Sequence, residues 1–357
     1  MTGRTVESVF SFWNWLFMVN GGKIPWNGRG THMQEVDYYL RKLYEDATNK
    51  KLINKRRMVL ELQQMLGSFP QSRRSGLVQM EEPVYFDDYR RERIKFNTTK
   101  GLFCSMYVLT PNSSFADSKF SPVLALHGHG KGSKEAVGMI NEATAHRDFG
   151  LDLVKKGFKV FVPEIVGFGE RMLEEDLTSG KRNSCYSLAV QLLMSGKTLA
   201  GLRVYEARCA IDIIEKYEDV NRDQLGVVGF SGGGLIAALL SILDRRVEAT
   251  VLSGFANTYK GSILNSPHCI DNYIPHLLKL GELPSLIGLI CPRPLFIESG
   301  DKDTVFPRES AGEAIEYIES IYREFECLFS FGKDFFDGEH EVHGKAAFEW
   351  LKKHLEI

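Results

Sequence analysis

The feature that most constrains this chain is a regular alternation of short apolar runs and amphipathic stretches between residues 122 and 354. Runs at 122–127, 158–162, 225–230, 249–252, 295–298 and 326–331 have strand length and strand composition. Between them, 148–156, 202–217, 235–243, 311–322 and 346–354 carry helical periodicity. Strands separated by helices pair in parallel, and the crossover helices cover both faces of the sheet. The shorter β-type runs at 84–86, 92–96 and 102–109 have no helix between them and suit an antiparallel lead-in. The fold class expected is therefore α/β: a mostly parallel, doubly wound sheet with antiparallel N-terminal strands.

Two connections are too long for simple crossovers. Residues 167–199 and 254–290 exceed ordinary loops, and segments of that length on such a scaffold form lids or pocket walls. The N-terminal part differs from the rest. Phe10, Phe12, Trp13, Trp15, Leu16 and Phe17 crowd one short segment, and Met33 to Leu66 reads as two charged amphipathic helices. We expect a helical N-terminal extension over 1–78 and a main domain over 79–357. The extension is either a flap packed on the main domain, or a contact between identical subunits or a wall of the substrate pocket.

Composition excludes several partners. Lys plus Arg number 44 against 46 Asp plus Glu, so no global field draws nucleic acid or an anionic membrane surface. No run approaches the apolar length of a membrane-spanning helix, and no small-residue cleavage site follows Val9–Val19, so neither a membrane span nor a signal peptide is expected. The six cysteines show no metal-type spacing and read as reduced core residues, which points to the cytoplasm.

The strongest local signal is Gly229-Phe230-Ser231-Gly232-Gly233, placed where a strand meets a helix. A G-x-S-x-G turn there is tight enough to require flanking residues without side chains, and it lifts the serine oxygen above the sheet edge. The competing reading is a glycine-rich turn with an incidental serine. A serine hydroxyl is a weak nucleophile at neutral pH and needs a base. His340, in Gly338-Glu339-His340-Glu341 ahead of the final helix, is the candidate, with His343 as rival. A zinc site on these two histidines lacks the HExxH spacing. The carboxylate that orients the base belongs after the strand at 295–298. Asp303 is favoured there, and Asp301, directly after Gly300, suits a turn-forming role. The order Ser, Asp, His matches the α/β-hydrolase scaffold. Charge on a developing oxyanion needs two backbone N–H donors: Gly232 supplies one, and the amide of His129 in His127-Gly128-His129-Gly130 is the candidate for the other. The side chains of His127 and His129 are expected to brace that loop. His268 and Cys269 are possible pocket-lining residues, with a structural role preferred.

Taken together, the His127-Gly-His-Gly, Gly229-Phe-Ser-Gly-Gly, Pro292-Arg-Pro-Leu with Gly300-Asp-Lys-Asp, and Gly338-Glu-His-Glu motifs resemble the dienelactone hydrolase and acetyl xylan esterase-like branch of the α/β hydrolases. The resemblance spans roughly residues 80 to 357. It implies catalytic roles for Ser231, Asp303 and His340, an oxyanion hole from the His129 and Gly232 amides, and no metal or organic cofactor. Dienelactone hydrolases proper use cysteine where this chain has Ser231. The resemblance therefore points to a short acyl ester of a small metabolite or sugar as substrate. Cleavage of an amide or carbon-carbon bond, and a non-catalytic binding protein that keeps the fold, stay open as alternatives.

Overall fold

The structure, a computed structural model, describes residues 35–49, 54–70, 76–112 and 119–355. The aromatic segment at 10–17 lies outside them. The chain divides between Asp46 and Ala47 into two compact units. Helix α1 (Glu35–Thr48) is mostly in the first and matches the first expected N-terminal helix.

The second N-terminal helix, α2 (Lys55–Leu66), lies in the larger unit. Asn54 caps it by accepting the Arg57 N–H, and Met58, Leu62 and Leu66, four residues apart, form its buried stripe. The Leu66 carbonyl accepts hydrogen bonds from both the Thr198 amide and its hydroxyl. That links α2 to the start of the helix at Leu199–Ile214.

The sheet has ten strands: β1 (Gly76–Met80), β2 (Val84–Tyr85), β3 (Tyr89–Thr99), β4 (Leu102–Pro111), β5 (Pro122–Leu126), β6 (Lys159–Pro163), β7 (Gly226–Phe230), β8 (Ala249–Ser253), β9 (Leu295–Gly300) and β10 (Phe331–Phe336). Their spatial order is β1-β3-β4-β6-β5-β7-β8-β9-β10, with β2 paired to β3. The pairs β1–β3, β2–β3, β3–β4 and β4–β6 are antiparallel, and every pair from β6 onward is parallel. This is the expected doubly wound sheet with its antiparallel lead-in.

The central strands β5 to β9 are buried along their whole length, as strands covered on both faces must be. Alternate residues divide between two cores. Val123, Ala125, Val160, Val162, Val228 and Val251 face helices α4 (Phe149–Lys155) and α11 (Lys345–His354), meeting Phe149, Leu153, Phe348 and Leu351. Helices α7 (Leu199–Ile214) and α8 (Gly232–Leu243) pack against each other and against the central strands. The remaining helices are α3 (Ser133–Ala136), α5 (Glu174–Thr178), α6 (Cys185–Met194), α9 (Leu283–Ile287) and α10 (Arg308–Glu324).

One expected strand is corrected. The run Glu326–Phe331 is not a strand: Leu328–Ser330 forms a 3-10 turn, and β10 starts at Phe331. Glu326 sits at φ +56, so the chain turns there before it re-enters the sheet. The apolar pattern Cys327-Leu328-Phe329 drew the assignment too early, whereas Phe329 is exposed. Of the long connections, 167–199 holds α5 and α6, and 254–290 holds α9 and three 3-10 turns.

Candidate active site

The turn from β7 into α8 carries Ser231 at φ +52 and ψ −118, a strained conformation for a residue with a side chain. Its amide is tied to the Ser253 carbonyl at the end of β8 (2.9 Å). A Cβ on Gly229 would lie 2.3 Å from the Gly233 carbonyl oxygen, and one on Gly233 would lie 2.0 Å from the Leu126 oxygen. Both positions therefore exclude any side chain, which is the physical content of the G-x-S-x-G spacing.

The structure brings three of the singled-out residues into one chain of hydrogen bonds. His340 Nε2 lies 2.9 Å from Ser231 Oγ, and His340 Nδ1 lies 2.7 Å from Asp303 Oδ2. The other Asp303 oxygen accepts the amides of Val305 (2.7 Å) and Phe306 (2.8 Å), so the buried carboxylate is fixed at both ends. The imidazole packs beside Phe230 and Phe306, with ring centroids 5.0 and 5.7 Å away. The two rivals go elsewhere. Asp301 accepts from Arg308 Nε at the surface (2.8 Å), and His343 pairs with Asp334 (3.1 Å) and stacks on Phe336.

The two expected donors belong to segments that border the serine. Gly232 is the first residue of α8, where a helix leaves its N–H groups without intrahelical partners. The 127–132 loop approaches so closely that a Cβ on Gly128 would lie 3.0 Å from the Ser231 Cβ. The loop is braced from below, and here the expectation splits. The His127 ring does brace it: Nδ1 donates to the Gly128 carbonyl (2.8 Å), and Nε2 accepts the Ile165 amide (3.1 Å). The His129 ring does not; it lies against Gly232 and points to Cys185 and Asp271. The missing brace is His146, whose Nε2 accepts the Gly128 amide (2.9 Å) while Nδ1 faces Glu135 at 3.5 Å. Burial lowers the His146 pKa to about 3, assisted by the nearby His127, so the ring is neutral and keeps the lone pair that this bond requires.

A second buried acid, Glu298, holds the loop that carries His340. It accepts from Ser253 Oγ (2.7 Å) and from the amides of His343 (3.0 Å) and Gly344 (2.9 Å). Burial raises its pKa. Sequence reading missed His146, Glu135 and the buried pair Arg203–Asp271, and it offered Glu298 only as a reserve candidate for the carboxylate that orients the base, not as the brace of this loop. The one available signal was Arg203, a charge inside the otherwise apolar stretch Leu199–Val204. His268 and Cys269, from the second long connection, sit near the site: the His268 ring lies 5.2 Å from Phe306, which also stacks on His340.

The model of the Abhydrolase family matches residues 32–312, which covers β1 to β9 and the serine elbow. The chain belongs to the Abhydrolase family. Among sequence relatives of this Abhydrolase family member is YtaP of Bacillus subtilis (strain 168), named as a hydrolase, 24% identical over 279 residues, covering 73% of this chain and 86% of that protein. Solved structures share the fold. A Bacteroides fragilis NCTC 9343 protein named as an acetyl xylan esterase superposes with TM-score 0.70 at 15% identity, covering 88% of this chain and 84% of the other. The methylesterase BT1017 does so with TM-score 0.62 at 17% identity, over 98% and 68% of the two chains. A glucuronoyl esterase from Solibacter usitatus gives 0.60 at 13% identity, over 84% and 91%. Like them, this Abhydrolase family chain has the α/β-hydrolase fold. Among the described residues no helix is long and apolar enough to cross a membrane.

Proposed function

We propose that the protein is a serine hydrolase of carboxylic esters, acting on a short acyl ester, such as an acetyl ester, of a small metabolite or sugar. The observation that carries the reading is the continuous relay Ser231 Oγ–His340 Nε2–His340 Nδ1–Asp303 Oδ2, with the serine raised on a strained elbow. In this reading Ser231 attacks the ester carbonyl while His340 takes its proton. Asp303 holds the imidazole tautomer and stabilises the imidazolium. The developing oxyanion is received by the amides of Gly232 and His129. His340 then returns the proton to the leaving alcohol, and water activated by the same imidazole releases the acid. The chemistry is complete with these side chains and two amides, and no cofactor enters it. The esterase names of the superposing structures and the hydrolase name of the sequence relative agree with this choice of bond. His268 and the two long connections are the proposed walls of the acyl and alcohol sites.

The test is a series of p-nitrophenyl esters of graded chain length, run beside Ser231→Ala, together with labelling by a fluorophosphonate. We expect fastest turnover at the acetyl end and a single label on Ser231. Activity or labelling that survives Ser231→Ala overturns the assignment.

A further inference from the structure

Beside the serine lies a second cluster that the hydrolytic relay does not use. The Cys185 Sγ, Cys269 Sγ and a ring nitrogen of His129 all lie within 4.8 Å of one another. Arg203 Nη2 donates to the Cys185 sulfur at 3.2 Å, and His129 Nε2 lies 3.9 Å from the same atom. The guanidinium cannot swing away: it also bonds the Val166 carbonyl through Nε (3.2 Å) and Nη2 (2.9 Å), and pairs through Nη1 with buried Asp271. Cys185 is also the first residue of α6, at the positive end of that helix. A sulfur held by a fixed cation at a helix start is an activated thiolate. The hydrogen bond from Cys269, then that from His129 and the charge of Arg203, lower the Cys185 pKa against the opposing effect of burial, while that of Cys269 is raised as the donor. A soft metal held by these two sulfurs and the imidazole would have to displace or face the guanidinium on Cys185, so the cluster favours oxidation over metal binding.

The chain contains its own control. Cys291 and Cys327 are also close, sulfur to sulfur 3.5 Å, and both are buried. The cation beside them, Lys55, donates to the Cys291 carbonyl rather than to either sulfur, and burial still pushes the Cys291 thiol up to about 12. Proximity is thus available twice, and activation once.

We propose that Cys185 and Cys269 form a peroxide-oxidisable pair whose disulfide ties the two long connections, 167–199 and 254–290, together beside Ser231. The Cys185 thiolate attacks one oxygen of hydrogen peroxide, the O–O bond breaks, and the hydroxide that leaves takes up a proton from the solvent, equivalent to the one Cys185 released, giving the sulfenic acid and water. The Cys269 sulfur gives up its proton and attacks the Cys185 sulfur, the S–O bond breaks, and hydroxide leaves as water. Two thiols are oxidised by two electrons, and hydrogen peroxide is reduced to two waters. Because the His129 ring lies between Cys185 and Gly232, the tie reaches the loop that borders the serine. This coupling rests on the role proposed above for Ser231, whereas the disulfide does not.

The experiment treats the full chain with hydrogen peroxide, blocks remaining thiols and maps linked peptides by mass spectrometry. A Cys185–Cys269 link should form at least about tenfold faster than a Cys291–Cys327 link and vanish with dithiothreitol. In Cys269→Ser, dimedone should trap Cys185 as the sulfenic acid; in Cys185→Ser, Cys269 should stay reduced over the same time. The link should slow fluorophosphonate labelling of Ser231 by roughly fivefold or more, reversibly. Preferential Cys291–Cys327 linkage, or an unreacted Cys185, overturns the pair. A link that leaves the labelling rate unchanged overturns its coupling to the serine. If Ser231 takes no label even when reduced, the proposed hydrolytic role fails while the peptide map still decides the pair.

Discussion

At the scale of single residues, two side chains of each type competed for two jobs, and their surroundings separate them. His340 has the serine on one nitrogen and Asp303 on the other, whereas His343 is engaged with Asp334 and Phe336. His340→Ala therefore removes the proposed proton acceptor and should lower kcat by several orders of magnitude, as loss of a base in such relays does. His343→Ala should cost about tenfold or less, since its side chain touches neither reacting group. Asp303→Asn keeps shape but loses the charge facing the imidazole, an effect of about 10⁴ in the serine-protease precedent. Asp301→Asn gives up only an exposed ion pair with Arg308 and should leave kcat nearly intact, with at most about 1 kcal/mol of stability lost. Steady-state kinetics on one activated ester checks all four, and a crippling Asp301→Asn beside a mild Asp303→Asn overturns the assignment.

At the scale of elements, the loop after β5 is held by two histidine side chains, His127 and His146. His146 accepts the Gly128 amide only while unprotonated, and burial lowers its pKa to about 3 against an ordinary value of 6.5. Between those two values the unfolded chain binds a proton that the folded chain does not. Its contribution to stability is thus fully present above pH 6.5 and is lost as pH falls toward 3, at a slope approaching 1.4 kcal/mol per pH unit for one group. Denaturant unfolding at pH 7 and pH 5 should show the native chain losing more stability than His146→Gln, whose amide cannot titrate. Equal losses in the two proteins would remove His146 from the acid side of the stability profile. Glu298 plays a related part for the loop after β10, since its two oxygens receive three donors, two of them backbone amides beside His340.

At the scale of the whole molecule, the proposed catalytic groups come from the ends of three parallel strands: Ser231 after β7, Asp303 after β9 and His340 after β10. Groups separated by 109 positions in the chain meet at one sheet edge because parallel strands all end on the same side. The assembly of whole molecules is a separate question, and the aromatic segment at 10–17 carries the expectation of a subunit contact. If that expectation holds, deleting about the first 20 residues should lower the mass seen by light scattering, because large apolar surfaces on a soluble chain need a partner. An unchanged mass with altered ester turnover would instead support a flap on the same chain.

The sequence by itself determined the order of strands and helices, the elbow around Ser231, and the short lists that held Asp303 and His340. Each rests on local rules: two-residue and 3.6-residue periodicity, and the steric demand of a tight turn. It did not place β10, where an apolar run sits just outside the sheet and a less apolar one, Gly332-Lys333-Asp334, lies inside it. Nor did it find His146, the bracing role of Glu298, or the meeting of Arg203, Cys185 and Cys269. Those residues are defined by what they meet across long separations, 68 positions in the case of Arg203 and Asp271. Burial, which sets the charge state of His146 and Glu298, exists only once the chain has closed around them.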